Sequence, residues 1–146
     1  MFAAAAFLAL FALLMAASVT DIRSRTIPNR LVLAVAAVWL LWRCASMAIG
    51  CAQPSDAVGD VLGALLFGGG LLAFVMVSER VSGRFMMGGG DVKLLAAVSL
   101  FLGLRLALVA LLAACVVSLA FAAARLKHGI PFAPCIMCGA LVALLV

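Results

Sequence analysis

Long apolar runs alternate with short clusters of charge and glycine along this 146-residue chain. The first run, Phe2 to Thr20, carries no charge, and its length predicts a helix able to cross a bilayer. A second begins near Leu31, after "IPNR", with Trp39 and Trp42 near its far end as expected interfacial anchors. A third runs from Ala57 to Val77, behind a loop "CAQPSDA" in which Ser55 is the expected helix cap. It holds Gly59 and Gly63 in a G-x-x-x-G and then a run, Gly68 to Gly70. Small residues at such spacing predict closely approaching helices.

The stretch from Val92 to Ala124 is too long for one crossing. As a single helix it would reach about 50 Å at 1.5 Å per residue. It would also bury Arg105 in lipid, at roughly 2.5–3.5 kcal/mol. Splitting it at "LGLR", Leu102 to Arg105, gives two spans and leaves Arg105 at an interface. "RLKHGIPFAP" is then a loop, and Phe132 to Val146 forms a last short span. The pattern predicts an all-α membrane protein, a polytopic bundle of about six transmembrane helices forming a single domain over residues 1–146.

Composition agrees. The chain is 69% hydrophobic and 10% charged, whereas soluble domains are nearer half apolar and a quarter charged. A cleaved signal peptide is the alternative for the first run, with "AAS" as its cleavage site. That run lacks the basic n-region such peptides carry, so an uncleaved span is expected.

The net charge of +5 reports orientation rather than nucleic-acid binding, since no basic run is interleaved with aromatics. Arg23, Arg25, Arg30, Arg80, Arg84, Lys93, Arg125 and Lys127 fall in the odd-numbered loops; only Arg43 and Arg105 fall on the other side. Positive charge accumulates on the cytoplasmic side, so both termini are expected to be extracytoplasmic.

Five cysteines are present. "CIMC", Cys135 to Cys138, lacks the second ligand pair that zinc requires, so no metal and no cofactor is expected. Buried small hydrophobes are the simpler reading. Cys44 and Cys51 flank an extracytoplasmic loop, where a disulfide is chemically allowed.

Carboxylates near lipid need a reason. Asp56 and Asp60 sit at the start of the third span, where negative charge complements the helix dipole. Glu79 adjoins Arg80 in a polar loop. Asp21 and Asp91 differ from these. Two crossings separate them, so parity returns both to the cytoplasmic face. An N-cap explains Asp91 in isolation. Asp21 ends a helix, where a carboxylate opposes the dipole unless Arg23 and Arg25 neutralise it.

Together the two suggest an aspartic-protease dyad sharing one proton. The helix dipoles alone favour Asp91 as the base and Asp21 as the acid. Gly88, Gly89 and Gly90 leave room for a substrate backbone beside Asp91, or make a plain turn.

Three segments carry a resemblance. "TDIRSRTIPN" (Thr20 to Asn29), "MGGGDVKLLAA" (Met87 to Ala97) and "IPFAP" (Ile130 to Pro134) together resemble the prepilin peptidases, membrane aspartic proteases of the GxGD group. The resemblance implies that Asp21 and Asp91 are the catalytic pair, with Gly88 and Gly90 in the GxGD element. Pro28, Asn29 and Lys93 match flanking positions. It further implies a bacterial inner membrane and a prepilin or pseudopilin substrate with a hydrophobic N-terminal helix. Larger members carry a cytoplasmic insert with paired cysteine motifs and N-methyltransferase activity; here about ten residues join the first two spans, so methylation is not expected. The compact form is similar to the peptidases of tight-adherence, Flp-type pili. The competing classes are a transporter subunit, which needs its carboxylates near mid-membrane, and a non-catalytic assembly component.

Overall fold

The computed structural model describes residues 2–83, 87–124 and 132–146. Among them lie five helices: α1 (Phe2–Ser24), α2 (Asn29–Ala48), α3 (Pro54–Ser82), α4 (Gly89–Ala124) and α5 (Ala133–Leu145). The protein is all-α, with no strand among the described residues. Helices α1 to α4 are each long and apolar enough to cross a membrane, and α5 is a shorter apolar helix. Arg84, Arg125 and Lys127 of the charge count, and Ile130 and Pro131 of "IPFAP", lie outside the described residues.

Helix α4 is not continuous. Gly103 adopts φ 72°, ψ 169°, breaking it into limbs 89–102 and 104–124. That backbone region is essentially restricted to glycine. The break falls inside "LGLR", and Arg105 emerges exposed just beyond it.

Helix ends follow local chemistry. The α3 C-terminus closes on Gly83 at φ 62°, whose N–H donates to the Glu79 carbonyl at 2.9 Å. Arg25 does the same for α1 at φ 52°, its N–H reaching the Asp21 carbonyl at 2.9 Å. A non-glycine residue there bears roughly 1–2 kcal/mol of strain. At the other end of α3 the cap is Gln53 rather than Ser55. Pro54 supplies the first helical position, and the Gln53 N–H donates to Asp56 Oδ2 at 2.9 Å.

One apolar core joins the helices. Leu10, Leu14 and Ala17 of α1 belong to it together with Leu94, Leu95 and Val98 of the first α4 limb. Ile136, Ala140 and Ala143 of α5 complete it beside Ala107 and Ala110 of the second limb. The outer faces remain apolar, with Leu8, Leu33, Leu41, Leu65 and Leu66 exposed, as lipid rather than water demands. Small residues set the spacing. A Cβ at Gly68 would lie 2.7 Å from Ala96 Cβ, and one at Gly139 only 2.2 Å from the Ala110 carbonyl oxygen. Gly59, Gly69 and Gly70 face open space, so only part of the glycine-rich stretch packs.

Both tryptophans make contacts within the protein. Trp42 stacks on Phe101, ring centroids 5.9 Å apart. Trp39 is buried, and its indole N–H donates to Asp60 Oδ2 at 3.2 Å. Arg43 forms an ion pair with the same oxygen, its Nε lying 2.7 Å away. Asp60 therefore neutralises a cation between α2 and α3; it does not merely complement a dipole. Cys44 and Cys51 are exposed free thiols, so the disulfide the sequence allows is not formed.

Candidate active site

Asp21 continues the buried stripe of α1. Leu10, Leu14, Ala17 and Asp21 recur at four- and three-residue steps, which places them on one helix face. Asp21 is 7% exposed. A carboxylate so placed needs a partner, and α5 provides it. The Ala133 N–H donates to Asp21 Oδ2 at 3.0 Å. Ala133 opens α5, where main-chain N–H groups lack intrahelical acceptors and the dipole is positive. The unfavourable α1 C-terminus is thus answered by the N-terminus of another helix.

Asp91 comes from the opposite direction. Helix α4 starts at Gly89, so Asp91 lies inside the first turn and is not the N-cap residue; its own N–H donates to the Gly88 carbonyl at 3.0 Å. Its side chain folds back over the glycines, and a Cβ at Gly88 would lie 3.1 Å from Asp91 Oδ2. Asp21 and Asp91 line one cleft of about 290 Å³ together with Arg25, Thr26, Ile27 and Gly88 to Gly90.

The connection between α1 and α2 forms the other wall of this cleft. Pro28 (φ −68°, ψ 135°) is extended and accepts the Leu31 N–H at 2.9 Å, starting α2. Ile27 lies against Gly90, where a Cβ would sit 3.2 Å from Ile27 Cβ. One residue beyond Pro28, Asn29 Oδ1 accepts a hydrogen bond from Lys93 Nζ at 3.3 Å. The positions flanking the two aspartates therefore touch one another: Ile27 with Gly90, Asn29 with Lys93. Lys93 is exposed and points away from the core.

Two further residues border the site; each lies in a segment noted from the sequence, "IPFAP" and "CIMC", but neither was given a part in the site there. Ala133 acts through its main chain, which leaves no trace in residue type. The following Pro134 was the available signal, because proline in the first turn marks a helix start. Cys135 lies buried in that turn. Its "CIMC" partner Cys138 is on the same helix, half-buried.

Fold and site together define a multi-pass membrane protein with two sequence-distant carboxylates in one cleft. The chain belongs to the Type IV leader peptidase family, which it matches over residues 8–123, a span containing both aspartates. It is a peptidase by that membership. No curated protein and no solved structure matches the chain.

Proposed function

We propose that this protein is an aspartic endopeptidase that removes the leader from Flp-type prepilins or pseudopilins at the cytoplasmic face of the bacterial inner membrane. The observation carrying this reading is that Asp21 and Asp91 line one cleft. One ionised and one protonated carboxylate suffice to hydrolyse a peptide. The ionised group takes a proton from water as its oxygen attacks the scissile carbonyl. The protonated group hydrogen-bonds the carbonyl oxygen, and a proton then passes to the leaving amine.

Contacts favour a division of labour opposite to that expected from the helix each aspartate belongs to. The Ala133 N–H stabilises negative charge on Asp21. Asp21 is then the base and Asp91 holds the shared proton. A connection of only residues 25–28 between α1 and α2 supports a peptidase without methyltransferase activity.

The test is processing of a co-reconstituted prepilin in vesicles, read as a gel shift and by the mass of the released leader. Asp21→Asn and Asp91→Asn should each lower the rate at least about 100-fold. Unchanged cleavage by either variant overturns the dyad.

A further inference from the structure

Asp91 and Gly88 form part of two cavities. On one side is the cleft shared with Asp21. On the other is a larger space of about 540 Å³ between α3 and the second limb of α4. Leu71, Phe74 and Val75 form one wall, Leu111, Cys115 and Ser118 the other. Resting on the peptidase reading above, we propose that this groove holds the first turns of the substrate's hydrophobic helix, so that the helix end delivers the scissile bond to Asp91.

Three observations fix the occupant. The volume is roughly that of one turn of a helix ~10 Å across. The walls are almost wholly apolar side chains, against which an extended peptide would leave its N–H and C=O groups unpaired; a helix satisfies them internally. Beyond Asp91 the lining changes to glycine backbone, Thr26 and Arg25. An unwound peptide finds hydrogen-bonding partners there. The change from apolar to polar wall at Asp91 thus coincides with the point where a helix must open to be cut. Specificity then resides in the fit of the residues just after the cleavage point to Phe74, Leu111 and Ser118.

The exposed thiol of Cys115 gives a direct probe. Prepilins with single cysteines at successive helix positions are co-reconstituted with the Asp21→Asn chain and oxidised with copper phenanthroline. Disulfides should form with Cys115 within the first two turns after the cleavage point, at positions three or four apart, and vanish in Cys115→Ala. In the active chain, Ser118→Trp should raise the KM for full-length prepilin about tenfold or more, leaving kcat little changed. If the parent chain cleaves prepilin but Cys115 cross-links only to a second copy, or to nothing, the groove is not the docking site and the peptidase reading stands. If the parent chain cleaves no prepilin, that reading falls and the groove assignment with it.

Discussion

Asp21 and Ala133 lie far apart in sequence, yet the N–H of Ala133 rests 3.0 Å from Asp21 Oδ2, and both residues are buried. This hydrogen bond ties the end of α1 to the start of α5. It gives Asp21 a structural task beside the chemical one proposed for it, and substitutions can separate the two.

An asparagine at position 21 keeps an oxygen acceptor for the Ala133 N–H but cannot act as a base. Alanine removes both and strands a buried donor, at a cost of about 1–3 kcal/mol. Asp21→Asn and Asp21→Ala are therefore expected to be equally inactive, with Asp21→Ala clearly less stable. Thermal unfolding in detergent beside a processing assay checks this. Equal melting temperatures would show that the bond contributes nothing.

Gly90 gives a second separation. A methyl group there lies 3.2 Å from Ile27 Cβ and 3.6 Å from Ile27 N and O, so the 25–28 connection must shift by a few tenths of an ångström. That connection walls the cleft. Gly90→Ala should cost about 1–3 kcal/mol of stability, with a larger loss of processing. Adding Ile27→Gly, which removes the opposing Cβ, should restore part of both. An additive double variant would mean the two residues are not coupled.

How much of this was legible beforehand depends on what kind of group is involved. The helices could be read because bilayer length and apolar runs are properties of residue type. The break at Gly103 could be read because a single unbroken helix would have buried Arg105. The convergence of Asp21 and Asp91 followed from counting crossings. By contrast, the Asp21–Ala133 bond uses a main-chain donor, and the Arg43–Asp60 pair depends on which faces of α2 and α3 meet. Trp39 illustrates the point: its place near a helix end does not reveal that its N–H meets the Asp60 carboxylate.

That pair yields a third expectation. Asp60 Oδ2 receives Trp39 Nε1 and the Arg43 guanidinium, and Arg43 also lies over the Trp42 ring at 4.9 Å. Removing the carboxylate leaves a cation half-enclosed between helices. Asp60→Ala should destabilise by on the order of 2 kcal/mol, less than the ~3–5 kcal/mol of a fully buried pair, because both side chains keep some exposure. Replacing Arg43 by Met and Asp60 by Leu together should recover most of the loss. Melting temperatures of the two single variants and the double variant in one detergent decide it.

The glycine run offers the last and sharpest contrast. Gly68 faces α4, where an added methyl would meet Ala96 Cβ at 2.7 Å, whereas at Gly69 it meets nothing. Since both sit mid-helix, alanine gains the same helical propensity at each, up to about 1 kcal/mol. At Gly69 that gain should appear unopposed. At Gly68 the overlap forces α3 away from α4 and outweighs it, by roughly 1–3 kcal/mol. Because α3 also walls the groove beside Asp91, Gly68→Ala should slow processing while Gly69→Ala leaves it intact. Paired melting and processing measurements that failed to distinguish the two variants would mean that α3 does not pack on α4 through Gly68.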